Sequence, residues 1–429
     1  MPASLGTLRV MTVNVNGLRT ESRRRAFFEA VQTQAHDIVI IQETHCGSDE
    51  EAAQWLAQGG GPGVGWGGLA FFSNGSSLSR GVAILVKSGV VPEGSVAAVE
   101  YSDQHLGSAT AGRILRVGWP TPERHVSVIA VYAPCEADQR PAFFTQQLTN
   151  AVLAEGPQAA HLIVAGDFNT AMSVADIRPA AGQDPSTSNR LRGATQLQQL
   201  LQAAGLTDAW RHLHQHDREF THVCNGGSSG SSAGRIDAIF ISTELVQQQW
   251  LKRAEHVRGF PVGDHDPVKL ELCKPGTPRL GKRRWTFPLE LLGDQSFKHT
   301  LQSSLQQFLA AWSPTGQAGE LLQKWEAVKD LIQIVTQCEQ QHRRQQQTQQ
   351  RRQLLRQLTA LQRLVQQSGL TSAAAQEAGL RQQLQQLELA AADSRAAARD
   401  LVNKIYGDSS TYWFHRQGRP APAPQLIKQ

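Results

Sequence analysis

The chain has 429 residues, with 42 Lys and Arg against 37 Asp and Glu and a formal net charge of +5, a length that predicts two or three domains. Its five cysteines form no CxxC pair and no disulfide-like rhythm, which argues against a thiolate zinc site and a disulfide scaffold. No apolar run approaches the ~20 residues that cross a bilayer, so we expect a soluble intracellular product without a membrane partner.

Charge is unevenly distributed along the chain. Residues 1–273 carry 21 basic and 26 acidic side chains, a net of −5, whereas residues 274–429 carry 21 and 11, a net of +10. Because electrostatic attraction to phosphate follows basic charge, we expect sequence-independent affinity for nucleic acid to come mainly from the second part. The run Arg23, Arg24 and Arg25 is a local exception. It is a candidate to line a substrate groove, and a solvated helix face is the alternative interpretation.

Residues 1–273 alternate between strand-like and helix-like segments. Runs rich in β-branched residues predict strands at 8–13, 37–42, 81–86, 125–131, 161–165 and 236–241. Helix-like stretches occur between them, at 22–34, 141–153 and 194–204. This alternation predicts an α/β layered domain. The Gly- and Ser-rich segment 225–234 predicts a mobile loop tip.

The composition changes after residue 273. We expect a basic linker and connecting segment at 274–319, a helical hairpin rich in Gln, Ala, Leu and Arg at 320–406, and a flexible tail at 407–429. Apolar residues recur at heptad-like spacing in the hairpin, at Leu354, Leu358, Leu361 and Val365 and again at Leu380, Leu384 and Leu387. This stripe packs within the helical pair or mediates homotypic coiled-coil association, and the sequence leaves both open.

A set of polar residues falls repeatedly at the ends of hydrophobic strands. Its members are Asn14, Glu43, Tyr132, Asp167, Asn169, Asp237, Asp264 and His265. Burying each of them unpaired would cost several kcal/mol, so we expect them to gather in one site. Oxygen donors with one histidine and no thiolate cluster suit Mg²⁺ or Mn²⁺ and favour phosphate-ester chemistry over zinc or redox chemistry.

The same residues carry a family resemblance. NVNGL, QETH, VYAP, GDFN, RID and GDH occur in this order and resemble the signature of the endonuclease/exonuclease/phosphatase superfamily. NVNGLR followed by IIQETH and GDFNT is most similar to the apurinic-type endonuclease domain of LINE-like non-LTR retrotransposons. The resemblance covers about residues 8–273. It implies a four-layer α/β sandwich of two packed mixed sheets flanked by helices, and the hairpin adds a C-terminal helical extension.

Phosphodiester hydrolysis requires residues that bind the metal ion and residues that activate the attacking water. Glu43 is the leading metal ligand, with Asn14 as a neutral oxygen donor and Asp264 joining directly or through water. Asp167 is the candidate to orient and deprotonate the attacking water, which Asn169 helps to position.

A second group would act on the phosphate. A protonated His265 would stabilise the charge that develops on it, and the resemblance gives the orienting carboxylate to Asp237. Tyr132 supplies a phenol, although simple core packing is its alternative. Thr221 is a further candidate for substrate binding, with core packing as the alternative interpretation. Where the family usually has serine before its Asp-His pair, this chain has Gly263, so we expect reduced but not abolished activity.

Three functions are compatible with this pattern. The first is a DNA endonuclease that nicks duplex target DNA and leaves a 3′-hydroxyl. The second is an abasic-site repair endonuclease, whose members typically carry tryptophans where this chain has His222-Val223. The third is an inactive nucleic-acid-binding retrotransposon remnant, against which the intact residue set argues.

The retrotransposon resemblance also implies context beyond the reaction. RNA of the parent element is a further candidate partner, and a nuclear location is expected for a eukaryotic element. The resemblance leads one to expect a reverse transcriptase, but no Asp-Asp polymerase motif follows Tyr412 in this sequence. A truncated element and the front part of a longer reading frame both remain open.

Overall fold

The computed structural model describes residues 6–33, 36–58, 66–91, 96–100, 111–121, 124–154, 160–180, 182–225, 231–277, 287–312, 319–368 and 371–406. The strands within these ranges are β1 (Thr7–Asn14), β2 (Ile38–Gln42), β3 (Leu69–Ser73), β4 (Val82–Val86), β5 (Ala97–Glu100), β6 (Ile114–Pro120), β7 (His125–Tyr132), β8 (Ala160–Asp167), β9 (Ile177–Arg178), β10 (Leu206–Asp208), β11 (His222–Asn225), β12 (Ser231–Gly234), β13 (Asp237–Ser242), β14 (Leu251–His256) and β15 (Val268–Cys273).

The helices follow the same chain order. They are α1 (Glu21–Thr33), α2 (Asp49–Gln58), α3 (140–153, with a π-helical turn at Phe143–Leu148), α4 (Ala194–Ala203), α5 (Ala209–Leu213), α6 (Thr243–Gln247), α7 (Gln295–Ala310), α8 (Glu320–Ser368) and α9 (Thr371–Tyr406). Among the described residues, no helix combines the length and the apolar character needed to span a membrane.

Two six-stranded mixed sheets form the body of the domain. The first has the order β14-β15-β1-β2-β4-β3, and the second has the order β10-β13-β8-β7-β6-β5. Only the pairs β1–β2 and β7–β8 are parallel among the described pairings within these two sheets. A small third sheet of β11, β12 and β9 lies beside them.

Strand alternation divides the apolar side chains among three cores. Val10 of β1 and Ile163 of β8 belong to the core between the sheets, while Met11 and Val164, one residue further on, belong to the outer cores. This follows from the two-residue period of a strand. Helices α1 and α2 cover the first sheet, and α3 and α4 cover the second. The predicted four-layer α/β sandwich and the C-terminal helical extension are therefore confirmed.

The segment 225–234 was expected to be a mobile tip, and this is wrong for its second half, since Ser231–Gly234 forms β12, paired with β11 on one side and β9 on the other. Small residues that suggest a loop also suit a strand packed closely against its neighbours: a Cβ added at Gly234 would approach the Arg190 side chain to 2.7 Å. Residues 226–230 lie outside the described residues.

The helical hairpin α8–α9 packs against the body formed by the two six-stranded sheets. Leu358 and Leu384 of the heptad stripe are completely buried, and the side chain of Val365 lies outside the described residues. Helix α9 contacts α1, and Leu389 packs against the outer core of the first sheet. At least part of the stripe is therefore used within the chain. The expected linker, 274–319, contains helix α7, and the expected tail at 407–429 lies outside the described residues.

Candidate active site

Strand ends from both sheets meet at one edge of the body. Asn14 ends β1, and Glu43 directly follows β2 in the first sheet. In the second sheet, Tyr132 and Asp167 end the parallel strands β7 and β8 in register with each other. Asp237 opens the antiparallel strand β13 directly opposite Asp167. The topology thus brings together five polar residues separated by up to 223 positions in sequence.

The Asn14 side chain links the two sheets. Its Nδ2 donates to Glu43 Oε1 at 2.8 Å and to Asp167 Oδ2 at 3.0 Å. Its Oδ1 accepts the Asn16 amide at 3.0 Å, which fixes the orientation of the carboxamide. Asn14 is completely buried. Two carboxylates from different sheets are therefore held next to each other by one neutral side chain.

Asp167 is buried, and its carboxylate is held on both sides. Besides the Asn14 bond, its Oδ1 accepts the Asn169 amide at 2.8 Å. Asn169 has a left-handed backbone with φ of 49°, and its Nδ2 donates to the Ala133 carbonyl at 3.0 Å. Burial, followed by the negative charge of Asp237, raises the pKa of Asp167 to about 6, although His265 and these hydrogen bonds oppose the shift.

His265 and Asp237 form a buried hydrogen-bonded pair. Their Nδ1 and Oδ2 atoms are 2.8 Å apart. Burial alone would lower the pKa of His265, but the charge of Asp237 and its hydrogen bond, helped by Asp167 and Asp264, outweigh burial and raise the pKa to about 10. The imidazole is therefore protonated at neutral pH.

Glu43 lies on a backbone of unusual conformation. Its φ is 52°, and that of His45 is 56°. The Glu43 Oε2 atom is 3.3 Å from His45 Nε2. Left-handed backbone at a residue other than glycine costs of order 1–3 kcal/mol and clusters at functional sites. The sequence did not single out His45, although it lies within the QETH motif.

His222 is a second residue that the sequence analysis did not place in the site. Its ring stacks on His265 with centroids 4.3 Å apart, and its Nε2 is 3.7 Å from Asp264 Oδ2. This contact with His222 is the main reason why the pKa of Asp264 lies well below its usual range. Burial opposes the shift, and the positive charges of His265 and His222 add to it. Asp264 is itself 54% exposed. The sequence signal for its role was the histidine directly after Thr221, which was interpreted only as a difference from the repair enzymes.

Tyr132 and Thr221 lie inside the site, with their hydroxyls engaged. The Tyr132 Oη atom is 3.0 Å from Cys135 Sγ. Burial, with the charge of Glu43, raises the pKa of Tyr132 far above its ordinary value, so the phenol stays neutral. Thr221 Oγ1 accepts the amides of Ile236 and Asp237 at 3.1 and 3.2 Å. The threonine therefore fixes the start of β13 and, through it, Asp237.

The three arginines occupy the start of α1. Arg23 donates to the Gly17 and Val15 carbonyls at 2.8 and 2.6 Å, and its pKa is lowered by burial while the charge of Asp264 opposes the shift. Arg24 donates to the Leu18 carbonyl at 3.0 Å. Arg25 is half-buried. Arg23 and Arg24 thus hold the loop that follows β1, and Arg23 does so near the site.

Gly263 shows why serine is absent from its position. Its φ is +85°, and a Cβ added there would lie 2.5 Å from the Asn14 carbonyl oxygen. An L-residue in this conformation is strained whatever the space around it, and here there is also a backbone clash. The glycine is required by the path of this loop.

Acidic and histidine side chains that could hold a metal ion cluster at this edge of the body. Two groups, His222 with Asp264 and His265, and Asp167 with Asp237 and His265, each have ligand atoms within 4.8 Å of one another. Because a protonated His265 offers no lone pair to a cation, the carboxylates of these groups are the candidate ligands. The buried Asp237 Oδ1 has no hydrogen-bond partner among the described residues, as expected for an atom that awaits a further polar group. Carboxylate and amide oxygens are the ligands that Mg²⁺ prefers.

Comparisons with known proteins agree with this architecture. The chain is 26% identical over 298 residues to the Transposon TX1 uncharacterized 149 kDa protein of Xenopus laevis. The aligned region covers 69% of this chain and 20% of that protein. The chain thus spans about a fifth of the length of this curated relative. The crystal structure of the AP endonuclease LMAP from Leishmania major has a TM-score of 0.50 at 18% identity, covering 63% of this chain and 88% of that one, which supports the fold.

Two further findings concern retrotransposons and the family. The endonuclease domain of TRAS1, a telomere-specific non-LTR retrotransposon, gives a TM-score of 0.42 at 17% identity, covering 64% of this chain and 100% of that one. The model of the Endonuclease/Exonuclease/phosphatase family matches residues 11–265, which is more than half of the chain and includes every strand end described above. The chain therefore belongs to the Endonuclease/Exonuclease/phosphatase family.

Proposed function

We propose that the protein is a divalent-metal-dependent DNA endonuclease of the retrotransposon type, which hydrolyses a phosphodiester in duplex target DNA and leaves a 3′-hydroxyl. Membership of a family of phosphoester hydrolases and the transposon-encoded relative support this class. The observation that carries it is the Asn14 side chain, which joins Glu43 of one sheet to Asp167 of the other beside the His265–Asp237 pair.

Asp167 would orient and deprotonate the attacking water. A pKa of about 6 lies near neutral pH, where a general base is both ionised and able to accept a proton. Asn169 has its Nδ2 engaged by a backbone carbonyl, so its Oδ1 is the atom available to position the water.

Glu43 would be the main ligand of Mg²⁺, or of Mn²⁺ in its place. Asp264 would contribute an exposed carboxylate. Asn14 already uses its Nδ2 to join two carboxylates, so any metal contact would have to come from Oδ1 beside the Asn16 amide. When bound, the cation neutralises phosphate charge and the developing charge on oxygen.

His265 would stabilise the pentacovalent phosphorus. Because its Nδ1 is held by Asp237, the ring is fixed in orientation and its other nitrogen can donate to a phosphate oxygen. Tyr132 would add a neutral phenol. A preorganised donor of this kind is worth roughly two to three orders of magnitude in rate.

The proposal extends to substrate binding, partners, location and domain bounds. The run Arg23, Arg24 and Arg25 remains a substrate-binding candidate, with the positive charge of Arg23 closest to the site. Thr221 is completely buried with its hydroxyl engaged, so it would act by fixing Asp237 and not by direct contact with substrate. RNA of the parent element and a nuclear location follow from the retrotransposon assignment, whereas association of two hairpins would follow from the heptad-like apolar spacing in α8 and α9. We also propose the domain bounds 1–273 and 320–406, joined by 274–319 and followed by 407–429.

Nicking of a supercoiled plasmid tests the function. With Mg²⁺ the full-length protein is expected to produce relaxed circles whose nicks a polymerase extends without prior phosphatase treatment. EDTA is expected to stop the reaction. His265→Ala is expected to lower the rate at least a hundredfold, whereas His212→Ala, at an exposed position of α5, leaves it unchanged. Equal nicking in EDTA would exclude the metal-dependent mechanism.

A second assay separates target nicking from abasic repair. In this chain His222 stacks on His265 where repair enzymes carry tryptophan, so we expect intact duplex to be cut at a rate comparable to duplex with one abasic analogue. A thousandfold preference for the abasic duplex, about 4 kcal/mol in transition-state discrimination, would instead assign the protein to repair.

A further inference from the structure

The loop 257–267, between β14 and β15, carries Asp264 and His265. Its base is closed by the Val257 amide, which donates to the Pro267 carbonyl at 2.8 Å. On the side of the small third sheet, the Asp266 amide donates to the carbonyl of Thr221, directly before β11, at 2.7 Å. The body of the domain thus fixes one side of this loop.

Helix α9 holds the other side. Gln385 Nε2 donates to the Gly263 and Pro261 carbonyls at 3.2 and 3.3 Å. Arg381 Nη1 donates to Asp266 Oδ2 at 2.7 Å. Residues four apart lie on the same side of a helix, so one face of α9 contacts the loop immediately before Asp264 and immediately after His265.

A buried charge network fixes α9 in this position. Arg381 Nε also lies 3.5 Å from Glu377 Oε1, which accepts Gln362 Nε2 of α8 at 2.9 Å. Glu377 Oε2 in turn pairs with Arg178 of β9 at 2.8 Å, with side chains 0% and 6% exposed. Detaching α9 would leave buried charges without partners, which is strongly unfavourable.

The apolar contacts are as close as the polar ones. Gly259 has φ of +80°, and a Cβ added there would lie 2.9 Å from Leu384 Cβ, so the helix packs directly on the loop backbone. Leu384 itself is completely buried. Phe260 and Val262 of the loop belong to the apolar cluster against which Leu389 packs.

We propose that α9 is a structural component of the active site, and that Arg381 and Gln385 are positioning residues that hold Asp264 and His265 in the geometry required for cleavage. This inference rests on the proposed nuclease function for its rate consequences. Because an active-site group displaced by about 1 Å can cost roughly a hundredfold in rate, loosening the loop on one side is expected to slow the chemical step. Substrate binding depends on many other contacts and is expected to change little.

A pair of matched substitutions tests the proposal in the full-length chain. Gln385→Glu removes both donated hydrogen bonds with little change in size. Gln386→Glu makes the same change of charge one residue further on, at an exposed position. For Q385E we expect a single-turnover cleavage rate at saturating plasmid about tenfold below wild type, a DNA Kd within twofold of wild type, and faster hydrogen exchange in the peptide 257–267. For Q386E we expect wild-type values in all three measurements.

The proposal would be overturned if Q385E and Q386E had the same single-turnover cleavage rate and the same hydrogen exchange in the peptide 257–267. If Q385E lowers the Tm by more than a few degrees, Gln385→Met replaces it under the same criteria. Methionine has a side chain of similar length but carries no charge and no hydrogen-bond donor. Wild-type protein that does not nick DNA refutes the proposed function. In that case the exchange difference between Q385E and Q386E still decides whether α9 orders the loop.

Discussion

Asp237 holds His265 through a hydrogen bond of 2.8 Å between two buried side chains. One residue opens a central strand, and the other lies in a loop fixed by Thr221 and by α9. The hydroxyl of Thr221 also receives the Asp237 amide, so both members of the pair depend on the same residue. The pair is therefore positioned before any substrate arrives, which is the condition for electrostatic catalysis.

Asp237→Asn is expected to lower the single-turnover cleavage rate about a hundredfold, or about 2.7 kcal/mol, because a neutral amide does not stabilise the imidazolium. Folding is expected to persist, since the side chain keeps its shape. Asp138→Asn, at a side chain 89% exposed, serves as the control and should leave the rate unchanged. A variant as fast as wild type would show that the orientation and charge of His265 do not limit the reaction.

Glu43→Gln is expected to raise the Mg²⁺ concentration for half-maximal cleavage at least tenfold, because an amide oxygen binds a hard cation more weakly than a carboxylate. The measurement is a Mg²⁺ titration of the single-turnover rate at saturating DNA. Glu50→Gln removes the same charge at an exposed position of α2 and is expected to leave the titration unchanged. A Glu43→Gln curve that coincides with wild type would exclude Glu43 as the main ligand.

Much of this site could be predicted because its information is local. Each β-branched run predicted a strand within one or two residues, and five of the six runs came with a polar residue of the site. Asp264 and His265 were expected at a strand end, but they lie in the loop between β14 and β15. The topology then brought Asn14 and Asp167 together, 153 positions apart. What a lone sequence does not contain is the path of a loop after its strand. For this reason the requirement for Gly263, which depends on the Asn14 carbonyl oxygen, could not be anticipated.

Contacts between distant segments were also beyond prediction. Arg381 and Asp266 are 115 residues apart, and nothing in the Gln-rich hairpin indicates that it packs beside the site. From the charge distribution and the position of the site residues, chemistry was expected in 1–273 and nonspecific affinity mainly in 274–429. The buried pair of Arg178 with Glu377 makes them interdependent, since removing the hairpin would leave that arginine without this carboxylate. Point substitutions are therefore better tests than truncation.

Gly263→Ser is expected to destabilise the protein and to slow cleavage rather than restore it. The left-handed backbone costs an L-residue roughly 1–2 kcal/mol, and the contact with the Asn14 carbonyl oxygen adds to this cost. Gly276→Ser is a matched control, because Gly276 has φ of +80° with nothing within 4 Å of an added Cβ. Urea unfolding of both variants isolates the clash. Equal destabilisation would mean that the loop relaxes away from Asn14.

The outward face of α8 provides the last prediction. Arg343 and Arg351 point inward and pair with Asp294 and Glu388, whereas Arg344, Arg352 and Arg356 are exposed. Spacings of eight and four residues place these three on one side of the helix, and they carry part of the +10 charge of residues 274–429. They are therefore the residues through which we expect the hairpin to contact DNA phosphates.

Replacing all three with Gln is expected to weaken binding to intact duplex and to reduce the slope of log Kd against log salt concentration by up to about 3, because each phosphate that a cation neutralises contributes about 0.9 to that slope. The control removes the same charge from Lys87, Lys252 and Arg253, three exposed residues at the edge of the first sheet opposite the site. Fluorescence anisotropy across a salt series compares the two triple variants with wild type. Equal slopes in the two variants would show that the hairpin charge acts only through the overall charge of the protein, and that α8 itself does not bind phosphates.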